Sequence, residues 1–364
     1  MKPRRIKQVT SGALVVVLLV IGAVRAADEP AGRARPNRPT RRPRTRPARR
    51  PRRPRLPPPD HANLRYGPHE RNVIDLWLAK AKAPAPLVIY YHGGGFRGGD
   101  KRSLNRLLLE RLLEKGVSVA ASNYRLSRTA PFPAQMHDAA RALQFLRHHA
   151  AGYNIDPKRV GATGGSAGAG ISLWLAFHED LADPKSDDPV ARQSTRLTTA
   201  VVYAGQSSYD PRFINKLFNT NRTHPALIAL FGMKSAEDVD NPKFHPLFEE
   251  ASPITHATAD DPPVMLFYPQ ANRPLPANSS GGVHIHHPKF GIVLKEKLDG
   301  LGVGCLVKFR KDYGRGTPWS GPVDDYVAFF CKHLGVPVGS TSRPTGPSTI
   351  RPGRTGARAP GGRG

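Results

Sequence analysis

The chain has 364 residues, and 55 Lys plus Arg against 28 Asp plus Glu give a formal charge of +27. That charge suggests a nucleic-acid partner, but residues 30–59 carry +12, residues 340–364 carry +5 and residues 1–26 carry +5, while Asp28 and Glu29 take back two. Only +7 remains on residues 60–339, which argues against a specific nucleic-acid-binding body, and the dense apolar runs there exclude a wholly disordered chain.

Residues 1–26 read as an export signal: a basic head (Lys2, Arg4, Arg5, Lys7), thirteen apolar residues from Gly12 to Val24, and a small-x-small site at Val24-Arg25-Ala26. The apolar run is short for a bilayer span, which needs about 20 residues, so cleavage after Ala26 is expected rather than anchoring. Arg4-Arg5 has the twin-arginine pair, but Ile6-Lys7-Gln8 fits such a signal poorly. The next stretch, 27–60, is an Arg/Pro linker with ten Pro and twelve Arg between 30 and 59. Proline stiffens it, like charges extend it, and it buries no core. It reads as a solvated spacer or as a tether to an anionic cell surface; without interleaved aromatics it lacks the stacking platforms of a nucleic-acid binder. Residues 340–364 form a second basic, Gly/Pro/Ser/Thr-rich tail. Cys305 and Cys331 are too few for a disulfide framework; they read as buried thiols, with one disulfide open in an oxidising compartment.

From residue 65 the pattern alternates. Strands are predicted over 73–78, 87–91, 117–123, 159–163, 198–203, 263–268 and 304–309. Helices are predicted over 102–115, 134–150, 171–178, 288–301 and 323–334. Such alternation predicts a mostly parallel sheet with helices on both faces. Residues 210–260 interrupt it with helical pieces at 213–218 and 224–233, an insertion placed where a lid would sit. The folded domain is expected to span 61–339.

Two motifs carry chemistry. Gly164-Gly165-Ser166-Ala167-Gly168 joins a predicted strand to a predicted helix, a turn that lifts the serine hydroxyl out of the backbone and aims the Ala167 N–H at a developing oxyanion. Alone, such a pentapeptide also occurs in ordinary glycine-rich loops. His92-Gly93-Gly94-Gly95-Phe96 ends an earlier apolar strand, and its bare backbone can present N–H donors to a carbonyl oxygen. Alone, it is a glycine turn. Together, in this order, they are distinctive.

With these motifs the sequence resembles the α/β-hydrolase family, and within it the secreted carboxylesterase branch with hormone-sensitive-lipase-like and feruloyl-esterase-like members. Asn123-Tyr124-Arg125-Leu126-Ser127, Pro131-Phe132-Pro133-Ala134, Asn154-Ile155-Asp156-Pro157 and Asp261-Pro262-Pro263-Val264 extend the resemblance from about Tyr66 to Gly335. It implies an α/β-hydrolase fold, Ser166 as nucleophile, the amides of Gly94, Gly95 and Ala167 as oxyanion hole, and His92 as a scaffold histidine rather than the base. No cofactor or metal is implied.

The resemblance fails at the rest of the triad. The position matching the family aspartate holds Asn272, the one matching the family histidine holds Arg315, and no histidine lies between 288 and 332. The histidine decides the matter: its loss costs on the order of 10⁶ in rate, and an arginine stays protonated and cannot replace it. One rescue is visible. The long loop after Asn272 ends His284-Ile285-His286-His287-Pro288, so His286 or His287 is a candidate relocated base, with Asp210 a candidate acid. These histidines also fit a solvated or structural role, and His284 with His286 fits a metal pair lacking a third ligand. Two functions follow. One is an exported ester hydrolase acting on a small or carbohydrate-linked acyl ester. The other is a catalytically impaired binding module holding an anionic ligand with Arg315. A weaker third is an envelope adhesin driven by the Arg-rich segment.

Overall fold

The computed structural model describes residues 55–276, 279–314 and 320–337. The expected signal, residues 27–54 of the linker, the basic tail and Arg315 lie outside them. The described residues fall in one compact unit beginning at Arg53.

Eight strands form one sheet: β1 (His61–Arg65), β2 (Val73–Trp77), β3 (Ala85–Tyr91), β4 (Ser118–Ser122), β5 (Ile155–Gly165), β6 (Thr199–Tyr203), β7 (Val264–Tyr268) and β8 (Cys305–Phe309). Their order is β1-β2-β4-β3-β5-β6-β7-β8; β1 and β2 run antiparallel to their neighbours, and β4 through β8 pair in parallel. Between them lie α1 (Arg106–Glu114), α2 (Ala134–His148), α3 (Ala167–Phe177), α4 (Pro211–Phe218), α5 (Pro225–Phe231), α6 (His245–Ala251), α7 (Pro253–His256), α8 (Gly281–His284), α9 (Lys289–Gly300) and α10 (Ser320–His333). This is the α/β-hydrolase architecture that the sequence implies.

The period-two geometry of the strands sorts side chains onto two faces. On β7, Val264, Leu266 and Tyr268 join a core with Met136 of α2, Trp174 of α3 and Phe290 of α9. Met265 and Phe267 join a second core with Leu108 and Leu112 of α1 and Phe330 of α10. β7 is therefore apolar on both sides, as a covered parallel strand requires.

Three expectations need correction. The edge strand β1 was not expected, because HANLR is half exposed and lacks an apolar alternation. The helix expected over 102–115 begins only at Arg106, since Leu104 is extended (ψ 138°) and the Asn105 side chain accepts from the N–H groups of Leu107 and Leu108 as a new cap. The strand expected at 159–163 runs from Ile155 to Gly165, paired with β3 across a register shift. The insertion between β6 and β7 is helical, as expected, with α4 to α7. Cys305 and Cys331 are free thiols, and burial pushes Cys305 up to about 12.

Candidate active site

The parallel strands all deliver their following loops to one edge of the sheet, and the central pair β3–β5 brings the two glycine-rich turns together there. Ser166 follows β5 and caps α3 with φ 55° and ψ −120°. A non-glycine residue in that region costs of order 1–3 kcal/mol and is held by its surroundings. Here the hold is close packing: a Cβ on Gly164 would lie 2.5 Å from the Gly168 backbone, and one on Gly168 would overlap the Tyr91 carbonyl. Ala167 is the first residue of α3, so its N–H has no intrahelical partner.

The turn after β3 is anchored through His92. Arg71 Nη2 donates to its Nε2 (3.0 Å), its Nδ1 donates to the Gly93 carbonyl (2.8 Å), and its ring stacks on Tyr124 at 4.2 Å. Burial is the main reason its pKa falls to about 4. A neutral, fully engaged imidazole is a scaffold group. Arg71 also donates to the Tyr124 and Gly99 carbonyls, and the Tyr124 hydroxyl donates to the His92 carbonyl (2.6 Å). This clamp fixes Gly94 (φ 119°) and Gly95 (φ 59°). Gly94, Gly95, Ser166 and Ala167 line a common cavity of about 350 Å³. Among the described residues no hydrogen bond uses the N–H of Gly94 or Gly95.

His286 enters that cavity with Nε2 2.8 Å from Ser166 Oγ. With Nδ1 carrying the proton, the serine hydroxyl donates to Nε2, which is the geometry a general base requires. Burial lowers the His286 pKa below its ordinary value, and no carboxylate counteracts it. The segment is held from three sides. Gln206, three residues past β6, donates to the Ile285 carbonyl at 2.5 Å. Phe218 of the insertion stacks on His284 (4.9 Å) and meets His287 edge-on (5.4 Å). His287 Nε2 donates to the Arg273 carbonyl at 2.9 Å.

The other expected residues are placed differently. His287 is occupied with Arg273 and does not meet Ser166. Asp210 caps α4 and is gripped by Arg212, whose Nη2 donates at 2.7 Å. Its carboxylate is thus spent on a helix start, and among the described residues no acid bonds to Nδ1 of His286. Asn272 lines a different cavity of about 610 Å³ with Arg273, Phe309, Tyr313 and Gly314. Ser166 does not line it. His284 is buried with neither ring nitrogen hydrogen-bonded, and among the described residues no metal-ligand group includes it with His286. Sequence reasoning missed Gln206, Tyr209, Arg97 and His224, all of which line the Ser166 cavity. A polar residue directly after an apolar strand was the available signal for Gln206. His224 accepts from the Ala226 N–H as the cap of α5, and nothing local marks it as a cavity residue.

Comparison with known proteins gives the family and the fold. The family model described as BD-FAE matches residues 74–285. The esterase LipQ of Mycobacterium tuberculosis is 29% identical over 223 residues, covering 60% of this chain and 50% of LipQ. The carboxylesterase NlhH of the same species is 32% identical over 100 residues, covering 28% of this chain and 31% of NlhH. The chain thus spans half or less of these curated relatives. Among solved structures, a truncated carbohydrate esterase from gut microbiota superposes with a TM-score of 0.59 at 21% identity, covering 76% of this chain and 96% of that one. A propionate-bound esterase of Thermogutta terrifontis gives 0.54 at 19% identity, covering 77% and 96%. At these identities the structures establish the fold.

Proposed function

The chain belongs to the BD-FAE family, and from that premise we propose that it is a serine ester hydrolase working with a Ser166–His286 pair. The observation that carries this is the 2.8 Å contact between His286 Nε2 and Ser166 Oγ in a cavity shared with Gly94, Gly95 and Ala167. Ser166 Oγ attacks the ester carbonyl while His286 Nε2 takes its proton. The N–H groups of Gly94, Gly95 and Ala167 receive the oxyanion. His286 then returns the proton to the departing alcohol, and a water activated by His286 releases the acyl group. The 350 Å³ cavity, walled by Tyr209, Leu227 and Ile285, favours a short acyl chain. A carbohydrate esterase among the structural neighbours makes a sugar a reasonable alcohol half. We extend the reading to an exported protein, cleaved after Ala26; a mature N-terminus beginning at Ala27 tests that, and retention of residues 1–26 rejects it.

The direct test is turnover of p-nitrophenyl acetate, with labelling by a serine-reactive fluorophosphonate and Ser166→Ala as control. Loss of both in the variant is expected. Unchanged turnover in Ser166→Ala excludes Ser166 as nucleophile. One observation favours the binding-module reading instead: among the described residues His286 Nδ1 has no acceptor, so the imidazolium formed on proton transfer is poorly stabilised. No labelling of the parent protein would favour that reading.

A further inference from the structure

On the opposite end of helix α3 from Ser166 lies a second cluster that the hydrolase chemistry does not use. His178 caps the C-terminus of α3, Glu250 lies on α6 and His256 ends α7. His178 Nε2 is 2.9 Å from Glu250 Oε1, His256 Nε2 is 3.9 Å from Glu250 Oε2, and one ligand atom from each residue falls within 4.8 Å of the others. Both imidazoles are mostly buried, at 14% and 15% side-chain exposure, while the carboxylate opens to solvent at 45%. The cluster lines a cavity of about 840 Å³ with Glu179, Asp180, Asp260 and Arg196, whose guanidinium pairs with Asp260.

His178 Nδ1 is 2.9 Å from the Glu179 carbonyl and its Nε2 is 2.9 Å from the Glu250 carboxylate, so both ring nitrogens face acceptors. Either a proton or a metal cation on Nε2 meets the carboxylate. With the metal, Nδ1–H keeps the backbone carbonyl, which is how metal-ligating histidines are usually oriented, and the carboxylate shares the cation. His256 Nε2 donates to the Glu250 carbonyl at 2.8 Å, but Trp174 Nε1 donates to the same carbonyl at 2.8 Å. That oxygen therefore stays satisfied when the His256 proton moves to Nδ1 and Nε2 becomes a ligand. Bonds of about 2.0–2.1 Å to a tetrahedral zinc put ligand atoms roughly 3.3–3.5 Å apart, between the separations of the two measured pairs.

We propose that His178, Glu250 and His256 form a binding site for a zinc-like divalent cation that clamps the far end of α3 to α6 and α7. Two imidazoles and one carboxylate suit zinc or cobalt better than the all-oxygen shells of calcium or magnesium. Eleven helical residues at about 1.5 Å each separate the cluster from the serine by roughly 16 Å, so the site is structural and stands independently of the esterase reading.

The test is titration of the full chain, purified without a histidine tag, with Co²⁺ followed by its visible d–d absorption and with Zn²⁺ by calorimetry. One equivalent is expected, with Tm raised by about 5 °C or more at roughly 100-fold excess over Kd. Glu250→Gln retains the backbone carbonyl, so it should match the parent in circular dichroism and metal-free Tm. It should lose at least about tenfold in affinity, since even outer ligand partners contribute 10–100-fold. The double variant His178→Gln/His256→Gln should lose the visible band. Absence of Co²⁺ binding in the parent overturns the proposal. So does an unchanged band in the double variant, which would place the metal on other histidines, or full affinity in Glu250→Gln.

Discussion

Two cavities lie at the loops following the parallel strands, one lined by Ser166 and His286 and the other by Asn272. The first, beyond β3, β5 and β6, holds Ser166, His286, Gln206 and the glycine turn. The second, beyond β7 and β8, holds Asn272, Arg273, Lys311 and Gly314. The family resemblance puts an aspartate and a histidine on those last two loops. Among the described residues the second cavity instead carries an amide and cations, and the two cavities share no lining residue. The base comes from the segment just before α9, through α8 and the His284–His287 stretch. Among the described residues, His287 Nε2 joins the regions by donating to the Arg273 carbonyl. On the proposed reading an imidazole is delivered to Ser166 by a neighbouring loop, but among the described residues no carboxylate accompanies it.

The largest effect that tests this division is removal of the pair itself. In a complete serine hydrolase triad, loss of the serine or histidine costs on the order of 10⁶, whereas loss of the acid alone costs about 3 × 10⁴. A pair already lacking its acid should therefore contribute only about 10². Ser166→Ala and His286→Gln should each lower kcat on a p-nitrophenyl ester by roughly that factor, and the double variant no further. A loss near 10⁶ would mean that an acid reaches His286 after all, and the contrast between the cavities would fail.

The pH profile sharpens the same point. Burial pushes the His286 pKa below 6.5 and no carboxylate raises it. The base must be neutral to accept a proton, so activity is present above that lowered pKa and falls as pH drops through it. The acid limb of kcat/KM should inflect below pH 6.5. An inflection above 7 would reveal a carboxylate partner. A smaller change tests the support of the histidine: Gln206→Leu removes the donor to the Ile285 carbonyl and should lower kcat by about tenfold, since small misplacements of a reacting group are costly. Unaltered kcat would mean that the Phe218 and Arg273 contacts suffice.

How much of this was legible in the sequence follows from whether each feature is local. Ser166, Ala167 and the Gly93–Gly95 turn were legible because a tight turn admits few residue types, and the packing that forces Gly164 and Gly168 is itself local. The alternating strands were legible for a similar reason, since a strand covered on both faces must be continuously apolar. His286 could be narrowed to two adjacent histidines and no further. Which ring meets Ser166 depends on α8, a four-residue helix with no apolar period, and on Gln206 and Phe218 from distant segments. Asp210 misled because a carboxylate after a strand fits an acid and a helix cap equally well; Arg212, two residues on, settles it as a cap. The His178–Glu250–His256 cluster left little local trace, because Glu250 and His256, six residues apart, meet His178, 72 residues before Glu250, only when α6 and α7 close over α3.

The smallest expected effect is the most pointed test of the comparison. Asn272→Asp restores the residue that the resemblance expects at that position. If the second cavity still belonged to the catalytic unit, a carboxylate there would orient and stabilise the imidazolium, and activity would rise toward the roughly 10⁴ that a triad acid supplies. The geometry argues otherwise. Asn272 is exposed on the rim of a cavity that neither Ser166 nor His286 lines, and the intervening His287 is held by the Arg273 carbonyl rather than by a side chain. A carboxylate there has the Arg273 and Lys311 cations as cavity companions, not the imidazole. Asn272→Asp should therefore change kcat by less than about twofold and leave the acid limb in place, a shift well under 1 kcal/mol on the barrier. A gain of tenfold or more, accompanied by an upward shift of the acid limb, would show that the two cavities act as one site.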